Sequence, residues 1–167
     1  MSTSAADILT KPAPDAAEAL VGKILLRRFP DGRELRVRIT ETEAYFRETD
    51  TACHARFGRT KRSEVLYHPA GTIYVYLCYG IHWMLNLVTG AADDPQAVLI
   101  RGVKGVSGPG RVTKLLGIDG SLNDTPLGTA LALEDDGFRP ELQRTGRVGI
   151  GYASPEDQAR LWRFVAV

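Results

Sequence analysis

Apolar and polar positions alternate from Leu35 to Thr40 at the head of "LRVRITETEAY", and this two-residue repeat predicts a strand. The repeat extends the face of Leu35, Val37 and Ile39 through Glu41, Glu43 and Tyr45, so an apolar face runs into two carboxylates. "TIYVYLCYG" and "IHWMLNLVT" predict aromatic-rich strands on either side of Gly80, which reads as a bend or hairpin. "QAVLIRGV" predicts a further strand, and "GRVGIGYAS" and "LWRFVAV" predict late ones. "DAAEALVGKILLRRF" reads as a helix, with Asp15 and Glu18 spaced as in a capping box and Gly22 weakening its middle. "SGPGRVTKLLGI" predicts a glycine-proline turn feeding a short helix. Between the first strand and the hairpin lies "FRETDTACHARFGRTKRSEVLYHPAG", a polar connection longer than compact domains ordinarily carry, and such loops are usually functional. The pattern is mixed α/β with short strands dominating.

Composition adds bounds. The chain has 167 residues, one domain's worth, with residues 1–15 read as a flexible lead-in and 16–167 as the folded unit. Net charge is +1, so any case for nucleic acid rests on local patches. No 18-residue apolar run occurs, and the first residues do not pattern as an export signal, so a cytoplasmic protein without a membrane partner is expected. Cys53 and Cys78 make no CxxC pair, and His54, His68 and His82 fall in no metal-binding spacing, so neither a metal nor a cofactor is expected.

The chemistry concentrates in three places. Glu41 and Glu43 stand about 6.5–7 Å apart along a strand, a spacing compatible with acid/base work. A buried carboxylate with a raised pKa can serve as a general base. The same pair also fits a salt bridge to Arg36 or Arg38, or exposure at a strand end. Tyr74, Tyr76, Tyr79 and Trp83 crowd a short stretch with His82 and Asn86; a tyrosine at a hairpin tip suits a stacking wedge, and tyrosines packing a sheet face remain the alternative. Two glycine-containing basic segments carry Arg56, Arg59, Lys61 and Arg62, then Arg101, Lys104, Arg111 and Lys114, with no acid between; both suit a phosphate backbone or a merely solvated surface.

Together, "ALVGKILLR", "ITETEAYFRETDTACHARFGRT", "HPAGTIYVYLCYGIHWMLNLV", "AVLIRGV", "GPGRVTKLLGI" and "RVGIGYA…LWRF" resemble the alkyladenine (3-methyladenine) DNA glycosylase family of base-excision repair, over about 19–164. The resemblance implies a single α/β (α+β) domain built on a curved, mostly antiparallel sheet with flanking helices and a projecting hairpin. It implies a monomer that acts on double-stranded DNA containing alkylated bases, associated with the nucleoid as in bacterial members. It assigns Glu43 to activation of the attacking water, and Tyr45, His54 and Tyr76 to the walls of a pocket for an extruded base. Asn86 becomes the pocket floor, Tyr79 the intercalating wedge, and Arg101 a group near the water and the phosphate. Glu41 is then structural. The chain departs from the family's commoner pattern at Arg47 and Ser63, where many members have glycine and asparagine, and at Trp83, Met84 and "YHPAG". A non-catalytic nucleic-acid binding module and a carboxylate-pair carbohydrate hydrolase are the competing readings; base release from methylated DNA and the salt dependence of binding separate them.

Overall fold

The structure, a computed structural model, describes residues 5–167. A 3-10 turn (Ala5–Thr10) leads into α1 (Ala13–Leu20), β1 (Ile24–Arg28) and the long β2 (Glu34–Phe46). Two further 3-10 turns, His54–Phe57 and Glu64–Tyr67, interrupt the polar connection. Then come β3 (Thr72–Cys78), β4 (His82–Val88), β5 (Gln96–Val103), β6 (Val106–Ser107) and α2 (Pro109–Leu116). After a 3-10 turn at Gly120–Leu122 follow β7 (Thr125–Pro126), β8 (Leu131–Glu134), β9 (Leu142–Thr145), α3 (Pro155–Ala159) and β10 (Arg163–Ala166). Every strand pairing among these is antiparallel, in the order β7-β3-β4-β5-β2-β1-β8, with β10 and then β9 added beside β2 and β6 beside β5. The domain is α+β, as the sequence implied.

The sheet has two differently covered faces. Ile73 and Val75 of β3, Leu85 and Leu87 of β4, and Val98 and Ile100 of β5 point into one core with α1 and α2, through Ala16, Ala17, Leu20, Val112 and Leu116. The alternate positions Tyr74, Tyr76, Val88 and Ala97 face the other way, against the connection residues Cys53, Ala55, Val65, Leu66 and Tyr67.

At β2 the expected face does not continue. Ile39 lies in the helix-covered core, yet so does Ala44, with Phe46 packed against it. Between them the β2–β5 register is irregular: Ile39 pairs with Val103, Glu41 with Gly102, and Thr42 with Ile100. A β-bulge shifts the alternation. Glu41, Glu43 and Tyr45 do share a face, but it is the face opposite Leu35, Val37 and Ile39. Gly102 makes the irregularity possible, since a Cβ there would stand 3.2 Å from both Glu41 Cβ and Thr40 Oγ1.

Three other expectations are corrected. The helix read over residues 15–29 ends at Leu20, and its second half is strand β1. Gly22 takes φ +96°, so the chain turns there and "ILLRR" pairs with β2 and β8. Asp15 lies inside the first turn rather than at the cap, which is Pro12, and Gln96 Oε1 accepts from the Ala13 N–H at 2.7 Å instead. The lead-in is packed from Ala5 onward, with Ile8 and Leu9 buried in the core; its first four residues lie outside the described ones. "GRVGIGYAS" forms a loop rather than a strand, because its side chains and amides are used by the site below.

Candidate active site

A cavity opens on the loop-covered face, lined by Tyr45, Cys53, His54, Tyr74, Tyr76, Asn86 and Tyr152 among others. Its mouth continues between Arg62, Leu77, Tyr79, Met84, Leu99, Arg101 and Val148. One face of four consecutive strands supplies the walls: Tyr74 and Tyr76 from β3, Asn86 from β4, Ala97 from β5 and Tyr45 from β2. The rings pack edge to face, His54 on Tyr76 at 4.6 Å between centroids, with Tyr74 and Tyr76 tilted at 5.3 Å. Asn86 donates from Nδ2 to the carbonyls of Tyr74 and Met84, both at 3.3 Å, which fixes its amide plane.

His54 Nδ1 lies 2.8 Å from the Tyr74 hydroxyl. Burial, with Arg62 and Arg56 nearby, pushes its pKa down to about 4. The imidazole is therefore neutral at physiological pH and adds no positive charge to the cavity. Cys53 is pushed up to about 12 by burial, so it is a thiol and not a nucleophile. Among the described residues no group of three or more His, Cys, Asp or Glu is placed to hold a metal.

Glu43 stands behind the Tyr45 wall with 0% exposure. Its Oε1 accepts from the Tyr45 hydroxyl at 2.9 Å, and its Oε2 from the Val148 N–H at 2.5 Å. Arg101 Nη1 is 3.8 Å from Oε1. All three partners line the mouth, while Glu43 itself lines neither the cavity nor the mouth and lies one layer behind them. Burial raises the Glu43 pKa, against the opposing pull of Arg101, Val148, Tyr45 and Arg147. Burial also carries the Tyr45 hydroxyl well above its ordinary range, so it is a firm donor to the carboxylate.

Glu41 is held between two arginines. Its Oε1 accepts from Arg101 Nε at 3.2 Å and Arg163 Nε at 2.7 Å. The strand arginines offered from sequence as its alternative partners are used elsewhere, Arg36 with Glu134 and Arg38 with Asp136. Arg101 thus bridges both glutamates.

Tyr79 sits at the tip of the β3–β4 hairpin with 90% exposure. The Ile81 N–H closes a turn on Cys78 O, and Tyr79 and Gly80 both have positive φ, +52° and +68°. That is the geometry of a type I′ turn, and it lifts Tyr79 out of strand parity. The basic residues are unevenly placed. Arg62 borders the mouth, and Arg56 stacks on Phe57 and Tyr152. Lys61 is exposed in the same loop. Arg59 is committed to Glu64 and Asp93. Lys104 and Arg111 are exposed but line neither the cavity nor its mouth.

The sequence model of the methylpurine-DNA glycosylase family matches residues 7–107 and 103–167. The chain belongs to this family. Similar proteins, each carrying the provisional name 3-methyladenine DNA glycosylase, occur in Psychrobacter cryohalolentis, at 42% identity over 86% of this chain and 82% of that protein, and in Borreliella afzelii, at 41% over 91% and 89%. One from Nitrosococcus oceani is 40% identical over 92% and 84%. Family membership supports a DNA-glycosylase role in base-excision repair, and hence a DNA-binding hydrolase. No helix among the described residues is long and apolar enough to cross a membrane.

Sequence reasoning missed four contributors. Arg147, Val148 and Tyr152 lay in the stretch read as a strand, and Asp50 in the polar connection. The glycines of "GRVGIGYAS" were the available signal: they break a strand and free backbone amides for side-chain acceptors. Two departures also find their setting. Arg47, at φ +71°, is held by Asp94 through Nε at 2.8 Å and Nη2 at 3.0 Å. Trp83 packs over Gly120, where a Cβ would stand 3.0 Å from its ring.

Proposed function

We propose that the protein is a monofunctional glycosylase that extrudes cationic alkylated purines, of the 3-methyladenine and 7-methylguanine type, from duplex DNA and hydrolyses the N-glycosidic bond, leaving an abasic site. The observation that carries this reading is the wholly buried, hydrogen-bonded Glu43 carboxylate behind one wall of an aromatic cavity.

A glycosylase cannot reach its bond inside the helix, so the nucleotide must leave the stack at a cost of a few kcal/mol. Tyr79, presented by its turn, fills the gap and offsets that cost. The extruded purine enters between Tyr45, His54 and Tyr76, over Asn86. A cationic base gains about 0.5–2 kcal/mol on aromatic faces. A neutral His54 does not repel it. The C1′–N bond then breaks with the electron pair going to the positively charged base, which needs no prior protonation. Glu43 takes a proton from the attacking water, and its charge steadies the oxocarbenium-like sugar. Arg101 orients the carboxylate and faces the nucleotide's phosphate from the mouth. No amine attacks the sugar, so no Schiff base forms and the strand is not cut.

The test uses duplexes that each carry one defined lesion: 3-methyladenine, 7-methylguanine, hypoxanthine or ethenoadenine. The expected result is release of the methylated purines, with little or no release of hypoxanthine, whose neutral ring needs leaving-group help that these walls do not provide. Borohydride should trap no covalent complex. Intact protein that never liberates a methylated purine would end this reading.

A further inference from the structure

We propose that Arg147 is a positioning residue that sets both the placement and the protonation of Glu43, by clamping the Val148 peptide and the Tyr45 ring against it. This rests on the role proposed for Glu43 above.

The Arg147 side chain has no exposed surface. Its Nη1 donates to Asp50 Oδ2 at 2.7 Å and Ala44 O at 3.0 Å; its Nη2 donates to Asp50 Oδ1 at 3.0 Å and Asp157 O at 3.2 Å. The guanidinium carbon lies 5.0 Å from the centroids of both the Tyr45 and the Trp162 rings. Buried ion pairs are commonly no better for stability than apolar side chains of the same volume, so stability alone does not explain a charged fork here. Its placement does. Ala44 O is the β2 carbonyl between Glu43 and Tyr45, so the fork is tied to the strand that carries the carboxylate. Asp50 accepts in turn from the N–H groups of Phe46 and Ala52, both at 3.0 Å. That ties the fork to the end of β2 and to the cavity wall.

Residues 146–154 belong to no strand or helix, so no ladder aims the Val148 N–H. The side chain one residue earlier does so instead. Both hydrogen-bond donors to Glu43 therefore depend on one guanidinium: Val148 through the chain and Tyr45 through its ring. The titratable and charged groups around Glu43 are Tyr45 and Glu41 on β2, Arg101 on β5, Arg163 opposite it on β10, Tyr76 on β3 and Arg147 on the loop. Among these, Arg101, the Tyr45 hydroxyl and Arg147 favour the ionised carboxylate.

The test compares single-turnover release of 7-methylguanine from duplex DNA, across pH 5–9, for wild type, Arg147→Met and Arg147→Lys. Thermal melts and far-UV circular dichroism check the fold of each variant. R147M should lose roughly 10²-fold in rate, the scale of a misplaced catalytic group, and its acid limb should move to higher pH. R147K keeps the charge and loses the fork, so its rate should fall while its acid limb stays near that of wild type. Binding to undamaged duplex should not change. A part that only braces the fold would lower the rate without moving the limb, and a folded R147M with wild-type rate and limb would overturn the proposal. If wild type releases no base at all, the function proposed above fails instead. The clamp is then read from the ¹³C carboxyl titration of Glu43, assigned with E43Q: a midpoint in R147M unchanged from wild type refutes it, and where R147M does not fold the neutral R147Q is read in its place.

Discussion

Replacing Glu43 by glutamine should make the protein more stable and nearly inactive. Glutamine keeps the shape and removes the charge. Its Oε1 can retain the Val148 N–H, and its Nε2 can donate to the Tyr45 hydroxyl, which turns to accept. Two charge-assisted hydrogen bonds of about 1.5–3 kcal/mol each become neutral ones of about 0.5–1.5. Against that loss, a fully buried carboxylate is relieved of a desolvation cost of several kcal/mol. The raised pKa gives the sign, because burial outweighs Arg101, Val148, Tyr45 and Arg147 together. A gain of about 1 kcal/mol at neutral pH is expected, or about 2–4 °C in Tm for a chain of this size. The gain depends on pH. The folded carboxyl holds its proton above the ordinary value of 4.5, so wild type loses stability as pH rises from there through the folded pKa. The advantage of E43Q should therefore be small near pH 4 and largest above the folded value. Loss of a general base costs about 10²–10⁴ in rate, and lost charge against the sugar adds to it. The assay pairs thermal melts at pH 4 and 7.5 with single-turnover base release and duplex binding. An E43Q variant that excises at the wild-type rate refutes the role, and E41Q as the inactive variant would reassign it. An E43Q variant less stable than wild type at pH 7.5 refutes the electrostatic reasoning.

Tyr79→Gly should leave Tm nearly unchanged, since relief of about 1 kcal/mol of left-handed strain is offset by glycine's entropy; base release should fall about 10–10²-fold as the wedge is lost, measured by single turnover. His54 is held near 4 against an ordinary 6.5, so wild type should lose on the order of 3 kcal/mol as pH falls from 6.5 through 4, and melts of His54→Phe should lack that slope. Lys23 is 3% exposed, its amine is lowered by burial, and its ammonium makes no hydrogen bond or ion pair among the described residues. Lys23→Met should raise Tm at pH 7 by an amount worth about 0.5–2 kcal/mol, fading as pH rises through 10.5, above which the wild-type amine is neutral in both states. Arg47→Gly should change stability by less than about 1 kcal/mol, because relief of its positive φ is matched by loss of the Asp94 pair and of glycine entropy; a larger drop by denaturant titration would mean that the pair, not the turn, holds this corner.

What could be read from sequence was what local pattern encodes. Alternation located β2, short aromatic and apolar runs located β3, β4 and β5, and the glycine after Tyr79 located the hairpin. The cavity's aromatic members followed from the parity of β3 and from the family resemblance. What could not be read was set by tertiary partners. "KILLRRF" is as apolar as a buried helix, and only Gly22 and the β2 and β8 edges make it a strand. Ile8 and Leu9 sit in a polar lead-in and reveal their burial only through the core they fill. Arg147 is one of many arginines in the chain, and nothing local distinguishes a buried fork from a solvated one.

The slip in β2 explains how one strand serves both stability and chemistry. Without an irregularity, residues 35 to 45 would alternate in a single phase, and the odd positions that bury Val37 and Ile39 under α1 would bury Glu43 there too. A carboxylate in that apolar layer would have neither Val148 nor Arg101 to meet. With the bulge, Ile39 and Ala44 both stay in the helix-covered core, and Glu41, Glu43 and Tyr45 turn to the opposite face, where Tyr45 lines the cavity. The matching irregularity in β5 keeps Val98, Ile100 and Val103 in that core while Leu99 and Arg101 border the mouth. The arginine and the glutamates it bridges reach the same face because paired strands slip together. Gly102, the residue opposite Glu41, has to remain without a side chain for this to happen: a Cβ 3.2 Å from Glu41 Cβ would push the strands apart where the phase changes.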